Sequence, residues 1–363
     1  MWIKDNIKNL YRVKELPEDR NGVYRMDRNE RTWEFSEDFL QLVREHISSE
    51  TLTNYPELDD VYNELSKFLA VKKENIFLHT GSDLVIKSIF ETYISENDII
   101  LLHSPSYAMY SVYANMFGAK LYVQQFDNNL NFDIDKYCSN IVKHKPKLVV
   151  LENPNGFIGN SFNLEQIIKV VETAYACSSL IIIDEAYIDF VNSSVISKIN
   201  EYNNLIIVRT MSKAWGIAGL RMGYAVSNAY IINEIMKTKP MHEITGFTAD
   251  VVRLLLSEKQ IIREYVDAVK NSRDYFISEM RKRNIKTADS RANFVAVRFG
   301  EVADCDKLRL FMHERKFYLR RAFREKELRE WVRVGLLPIE QMKEFVMILD
   351  EFLKYNKMKG LES

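Results

Sequence analysis

Six short runs of Ile, Leu and Val mark out the middle of the chain: Ile99–Leu102, Lys120–Val123, Leu148–Leu151, Leu180–Ile183, Leu205–Val208 and Gly223–Val226. A strand with one wet face would alternate apolar with polar positions, whereas near-continuous apolar runs mark strands covered on both faces, as parallel sheets require. Between several of the runs lie segments such as Leu164–Ala176, whose apolar residues recur at three and four spacing, the period of a helix with one buried face. Strand, helix, strand repetition predicts an α/β fold: a mostly parallel central sheet flanked by helices, with right-handed crossovers. In such sheets ligands sit outside the carboxyl ends of the strands, which is where chemistry is to be sought.

From about Ile262 the texture changes to a long charged helix. Shorter strands at Phe294–Val297, Tyr318–Arg320 and Trp331–Val334 follow, then a terminal helix near Ile339–Tyr355. This predicts a smaller α+β domain, and 363 residues are more than one core usually holds. The expected division is an N-terminal segment, 1–45, packing with the small domain; a large α/β domain, 46–265; and a C-terminal small domain, 266–363. No repeat, low-complexity tract or Pro/Gly-rich linker interrupts it.

The 50 basic residues balance 51 acidic ones, so no excess of positive charge points to nucleic acid, and clusters such as Arg281, Lys282 and Arg283 read as solvated helix faces. Cys138, Cys177 and Cys305 lie far apart, and the six histidines are scattered without metal-ligand spacing; neither a disulfide framework nor a metal site is expected. No run reaches the roughly 18 apolar residues of a membrane span, and Met1–Leu16 mixes charges among its apolar positions, so the expectation is a cytoplasmic protein without membrane attachment.

Three segments carry candidate chemistry. The first is Ser212-Lys213-Ala214-Trp215-Gly216-Ile217-Ala218-Gly219-Leu220-Arg221, directly after the apolar strand that ends in Arg209-Thr210. A lysine there stands where the sheet binds ligands, and Thr210, Ser212 and Arg221 bring hydroxyls and a guanidinium suited to a phosphate. The second is Ile181-Ile182-Ile183-Asp184-Glu185-Ala186-Tyr187, an apolar strand ending in a carboxylate. A buried carboxylate is costly unless it meets a cation; the protonated nitrogen of a pyridoxal ring is such a partner, and Tyr187 could then reach the ring's phenolic oxygen. Helix capping would also place an Asp after a strand. The third is Thr80-Gly81-Ser82-Asp83-Leu84, whose amides open a helix and so suit a phosphate, followed by Tyr107, able to stack on a planar ring or simply to fill the core.

Together these segments resemble the histidinol-phosphate aminotransferase branch of the fold-type-I pyridoxal phosphate enzymes, over most of the chain. The resemblance rests on an ordered set: Asp27-Arg28-Asn29-Glu30, Asn54-Tyr55-Pro56, Gly81-Ser82-Asp83, Ser106-Tyr107, Asn153-Pro154-Asn155, Asp184-Glu185-Ala186-Tyr187, Ser212-Lys213 to Arg221, Ala292-Asn293-Phe294 and Arg333-Val334-Gly335. It implies a pyridoxal 5'-phosphate aminotransferase with Lys213 carrying the cofactor as a Schiff base and Asp184 on the ring nitrogen. Ser82, Asp83, Thr210, Ser212 and Arg221 would hold the phosphate, with Tyr107 on the ring. It further implies a homodimer in which Tyr55 reaches the cofactor of the partner chain. Arg333 would take a substrate carboxylate, Arg320 or Arg321 a substrate phosphate, and Asn29 would lie beside the substrate.

The chain departs from the family pattern twice. Gly156 stands where the family has the asparagine that hydrogen-bonds the cofactor's phenolic oxygen, so either Asn155 or Asn160 substitutes or Tyr187 alone tunes that oxygen. Glu243 replaces part of a Tyr-Asn pair near the substrate, and an acid there suits an amine or hydroxyl. The expected reaction moves an amino group from a donor such as glutamate to a small phosphorylated ketone or aldehyde. Decarboxylation of a phosphorylated amino acid on the same scaffold, and a cofactor-binding protein without turnover, are the alternatives.

Overall fold

The computed structural model describes residues 2–8, 10, 20–191, 193–300, 302–321, 323 and 328–359. Its strands run β1 (Tyr24–Arg25), β2 (Ile76–Thr80), β3 (Ile99–Ser104), β4 (Lys120–Gln125), β5 (Leu148–Glu152), β6 (Leu180–Asp184), β7 (Leu205–Thr210), β8 (Met222–Ser227), β9 (Phe294–Arg298), β10 (Phe317–Tyr318) and β11 (Trp331–Gly335). Seven form the central sheet in the order β2-β8-β7-β6-β5-β3-β4. All six predicted strands are there. The seventh, β2, was not foreseen, because its short run Ile76-Phe77-Leu78-His79-Thr80 is broken by a histidine.

The sheet is parallel except at β8, which runs antiparallel to both β7 and β2. That exception was invisible to the apolar pattern, since β8 is buried on both faces like its parallel neighbours. Helices cover both faces. Ile167, Val170, Val171 and Ala174 of the helix Leu164–Ala176 join the core on one side, and Val85, Ile86, Ile89 and Phe90 of the helix Ser82–Tyr93 join the core on the other. Each helix is laid against the sheet by the three- and four-residue spacing of these positions.

A second core gathers Met26, Val269, Phe276, Val295, Val297, Phe317, Val334 and Phe345. It packs the helices Lys259–Lys282 and Ile339–Lys359 against the antiparallel pair β9 and β11. The expected strand at Tyr318–Arg320 is instead β10, Phe317–Tyr318, paired in parallel with β1. The N-terminal segment divides its contacts. Residues 24–26 lie on the second core, but Asn6 donates its side-chain amide to Met116 O at 2.7 Å, on a helix of the large sheet. Residues 11–19, part of the same expected segment, lie outside the described residues.

The segment is pinned where Gly335 N–H donates to Met26 O at 3.1 Å. A Cβ on Gly335 would lie 2.6 Å from that same oxygen, so only glycine allows the approach. Gly335→Ala is therefore expected to cost about 1–3 kcal/mol, the size of an overpacked contact, and to loosen residues 24–33. Urea unfolding and limited proteolysis of the N-terminal segment measure the two effects; an unchanged midpoint and cleavage pattern would show that the backbone yields freely there.

Candidate active site

The carboxyl ends of β3, β5, β6 and β7 converge on one region, and the N-terminal segment crosses it. The chain leaves β3 toward β4 in one direction and β5 toward β6 in the other, the arrangement at which open α/β sheets form a crevice. Asp184 closes β6 and is buried. Tyr110 Oη donates to its Oδ2 at 2.7 Å and Ala186 N–H to its Oδ1 at 3.0 Å. Burial pushes its pKa up, against the lowering effect of those two hydrogen bonds. Beside it, in register on β5, lies Glu152, also buried. Burial, then the negative charge of Asp184, pushes the Glu152 carboxyl up as well. Among the described residues neither carboxylate forms an ion pair with a Lys or Arg.

His103, from β3, holds Glu152 in place from below. Glu152 N–H donates to His103 Nε2 at 3.0 Å, and His103 Nδ1 lies 3.0 Å from Pro105 O. These contacts require the tautomer with its proton on Nδ1, and burial, which lowers the His103 pKa to about 4, keeps the ring neutral.

At one side of the carboxylate pair is a polar cup. The helix Ser82–Tyr93 begins there with Gly81 in the left-handed region, φ 80°. A Cβ on Gly81 would lie 2.6 Å from Arg221 Nη2, so the glycine admits the guanidinium against the helix start. Arg221, itself at φ 55°, places Nη2 3.5 Å from Asp83 Oδ2, and Tyr107 Oη donates to Asp83 Oδ1. Thr210, closing β7, donates through Oγ1 to Ser212 Oγ at 3.0 Å. The structure thus brings Ser82, Asp83, Tyr107 and Arg221 together at one helix start, with Thr210 and Ser212 at the carboxyl end of β7. Residues that hydrogen-bond phosphate are concentrated where a helix dipole favours an anion.

Lys213 follows Ser212 and is half-buried; its Nζ donates to Arg28 O at 3.1 Å and lies 5.7 Å from the Tyr187 ring centroid. Tyr187 Oη accepts from Asn29 Nδ2 at 2.7 Å, and Asn29 holds φ 56°, a conformation asparagine tolerates. Asn29 thereby orients the tyrosine, and its own Oδ1 is buried without a partner.

Arg333, on β11, is buried beneath the rings of Phe157 and Phe294, with its guanidinium carbon 5.5 and 5.2 Å from their centroids. Nη1 donates to Gly156 O at 3.0 Å and Nη2 to Asp27 O, while Nε is buried without a partner. Burial, then the nearby Arg320, lowers its pKa to about 9. Among the described residues the guanidinium bonds backbone carbonyls and forms no ion pair with a carboxylate, which leaves its charge only partly compensated. Arg320 and Arg321 are both exposed, and Arg320 sits over the same Phe157 ring at 4.6 Å.

Three expected residues make other contacts within the single chain. Asn155 is buried within its turn, where Oδ1 accepts from Phe157 and Ile158 N–H at 2.9 and 2.8 Å and Nδ2 donates to Pro105 O; an asparagine so engaged is a turn residue. Glu243 pairs with Lys239 at 2.8 Å, which compensates its charge locally. Tyr55 is 77% exposed and stacks on His242 at 4.2 Å. Tyr110, Asn293 and Glu152 were given no role by the sequence. Glu152 carried the same signal as Asp184, a carboxylate ending an apolar strand. The partner of Glu185 is also new: Arg209 donates to it at 2.7 and 2.9 Å, a buried pair that braces β6 against β7.

A family model described as aminotransferase class I and II matches residues 22–349. The chain is 33% identical over 304 residues to histidinol-phosphate aminotransferase of Thermoanaerobacter pseudethanolicus, covering 82% of this chain and 84% of that protein. Among solved structures it superposes on histidinol-phosphate aminotransferase from Sinorhizobium meliloti in complex with pyridoxal-5'-phosphate, with TM-score 0.89, 20% identity and coverage of 97% and 98%. It also superposes on L-threonine-O-3-phosphate decarboxylase from Porphyromonas gingivalis, with TM-score 0.74, 20% identity and coverage of 91% and 99%. At these identities both structures attest the fold.

The raised Glu152 pKa has a consequence for the cofactor-free protein. Its folded form keeps the proton to higher pH than the unfolded chain does, so the stability tied to this proton is complete below the ordinary carboxylate range and is lost as pH rises through the folded value. Glu152→Gln removes the loss. Its urea midpoint, compared with the parent protein from about pH 5 to about pH 8, is expected to gain with rising pH; a difference that is constant across that range would mean that Glu152 titrates normally.

Proposed function

The chain belongs to the class I and II aminotransferases, and from that membership and the geometry of the site we propose that it uses pyridoxal 5'-phosphate to move an amino group from a carboxylate-bearing donor such as glutamate to a small phosphorylated ketone or aldehyde. The observation that carries this reading is the position of Lys213. Its half-buried amine follows β7, the strand beside β6 that ends in the buried Asp184, and it directly follows Ser212, which is hydrogen-bonded to Thr210 at the carboxyl end of β7. The residues fit the cofactor: the cup accepts its phosphate, and Asp184 offers a charge for its ring nitrogen.

When bound, the cofactor supplies an electron sink for negative charge at the substrate α-carbon. The protein's residues do the rest. Ser82, Thr210, Ser212 and Arg221 anchor the phosphate, with Asp83 fixing Arg221 and the Tyr107 hydroxyl. Tyr107 would stack on the ring, and Asp184, held by Tyr110, would keep a proton on the ring nitrogen. Lys213 Nζ would hold the cofactor, and the same amine, when free, would carry a proton to and from the substrate α-carbon. Arg333 binds the substrate carboxylate through the donors that its buried surroundings leave unsatisfied. Arg320 adds positive charge next to it for a second anionic group, which supports a phosphorylated acceptor.

A second copy of the chain completes the site in this proposal. Tyr55 is 77% exposed and stacks on His242, and Leu52 and Met241 are 75% and 84% exposed. Tyr55 would thus be available to the partner's phosphate. Among the described residues no helix is long and apolar enough to cross a membrane, and a cytoplasmic location is part of the proposal.

Protein loaded with pyridoxal phosphate is expected to show a visible band that borohydride fixes to Lys213. Lys213→Ala should abolish the fixed band and lower turnover by about a hundred- to ten-thousand-fold, the range of a lost proton-transfer group; a band still fixed in that variant refutes the assignment. Glutamate alone should move the band to the near ultraviolet without releasing carbon dioxide, whereas carbon dioxide release from a phosphorylated amino acid would assign the protein to decarboxylation. Arg333→Gln should lower kcat/KM for glutamate about ten- to a hundredfold, the worth of one charged hydrogen bond. An unchanged value would place the carboxylate elsewhere.

A further inference from the structure

The family asparagine that would meet the cofactor's phenolic oxygen is replaced by Gly156, and Asn155 is tied into its turn. The space over Gly156 is nevertheless not bare of donors. A Cβ built there would lie 3.4 Å from Glu152 Oε2 and 4.0 Å from Tyr187 Oη. Gly156 has no positive φ, so its backbone does not demand glycine. What fills the neighbourhood of the missing side chain is the carboxyl group from four residues earlier.

The hydrogen bonds of Glu152 show what that group has left to give. Oε2 accepts from Gly156 N–H at 2.9 Å and Oε1 accepts from Tyr107 N–H. A carboxylic acid bonded in this way still has its O–H proton to donate. The groups around it favour that acid form. Asp184 lies in register beside it, His103 below is neutral, the Tyr107, Tyr110 and Tyr137 rings are near, and the positive charge of Arg333 is directed to Gly156 O rather than to the carboxyl. Two neighbouring carboxyls in a low-dielectric site do not both ionise when only one cation is supplied, and the ring nitrogen supplies one, to Asp184. Tyr187 is in the matching state: its oxygen accepts from Asn29, which leaves its own O–H to donate.

We propose that Glu152, as a neutral acid, donates the hydrogen bond to the cofactor's phenolic oxygen that position 156 supplies elsewhere in the family, jointly with Tyr187. This rests on the cofactor reading above. The role is one of positioning and charge tuning: an O–H donor stabilises negative charge on the phenolic oxygen, and thereby lowers the pKa of the proton shared between that oxygen and the Lys213 nitrogen.

The test is a pH titration of the visible band of the loaded protein, which reports that proton without turnover. Glu152→Met, similar in shape and lacking a donor, is expected to raise the pKa by about one to two units, the size of a charge-assisted hydrogen bond. Glu152→Gln keeps an N–H donor and should stay close to the parent value. Glu152→Ala combined with Gly156→Asn, which returns the donor to its family position, should recover most of the shift shown by Glu152→Ala alone. The proposal is overturned if Met and Gln move the pKa equally, if neither moves it, if Gln lowers it as removal of an ionised carboxylate would, or if the double variant recovers nothing. Should the parent protein gain no visible band with pyridoxal phosphate, the cofactor reading itself falls, a result distinct from all of these. Should Glu152→Met fail to fold, infrared difference spectra of the parent protein against Glu152→Gln decide: a protonated carboxyl band lost in the Gln variant supports the neutral acid, and a carboxylate band in its place overturns it.

Discussion

Two carboxyl groups buried side by side at the ends of β5 and β6 set the terms for the whole site. A sheet of Ile, Leu and Val gives no reason to end two adjacent strands in acid, and isolated charges in such surroundings are costly enough that the groups shift toward their neutral forms. The fold responds from every side. Tyr110 and Ala186 donate to Asp184, Tyr107 and Gly156 donate to Glu152, and His103 fixes the backbone of β5. None of these donors carries a full charge, so the pair retains an unmet demand for one cation. The positively charged ring nitrogen of the proposed cofactor would meet that demand, beside the polar cup suited to its phosphate.

The second constraint is that a site opened by a sheet edge must be closed by something else. Here residues 27–33 lie across it, with Arg28 O receiving Lys213, Asn29 holding Tyr187, and Asp27 O and Thr32 reaching Arg333 and Leu336. One short stretch thus links the lysine loop of the large sheet to β11, whose Arg333 faces the same space. Burial of Arg333 without a carboxylate follows from this closure: its backbone partners orient the guanidinium but do not neutralise it, and the remaining electrostatic gain is reserved for an anion entering from outside.

Much of this was legible from residue order. Continuous apolar runs located six strands, and the lysine loop with its hydroxyls and Arg221 located the cup, because sheet topology puts such residues at strand ends. The direction of β8 was hidden, since burial on both faces gives the same apolar run whichever way a strand points. Asn155 misled because an asparagine after proline can serve either a turn or a ligand, and only three-dimensional contacts show which. Glu152 was the avoidable omission: Leu148-Val149-Val150-Leu151-Glu152 repeats the logic of Leu180-Ile181-Ile182-Ile183-Asp184 one strand away. The difference between the two acids is not in their own segments but in Gly156, whose lost side chain makes room for one of them.

That exchange is coherent in its electrostatics as well as its volume. An asparagine amide donates whatever the charge around it, whereas Glu152 would donate only while it keeps its proton, which burial, and then the negative charge of Asp184, favours. In the proposed complex a cationic ring nitrogen would hold Asp184 ionised in turn. The ring cation, the Asp184 anion and the neutral Glu152 would then form a chain of three dependent states. Loss of the proton at the nitrogen would let Asp184 take one up and would release Glu152 toward ionisation, replacing a donor to the phenolic oxygen by a repelling charge. Position 156 in its family form would separate the two ends of the ring; under the proposal β5 and β6 would couple them, so that the electron-withdrawing state of the nitrogen and the stabilised state of the phenolic oxygen would be held or lost together.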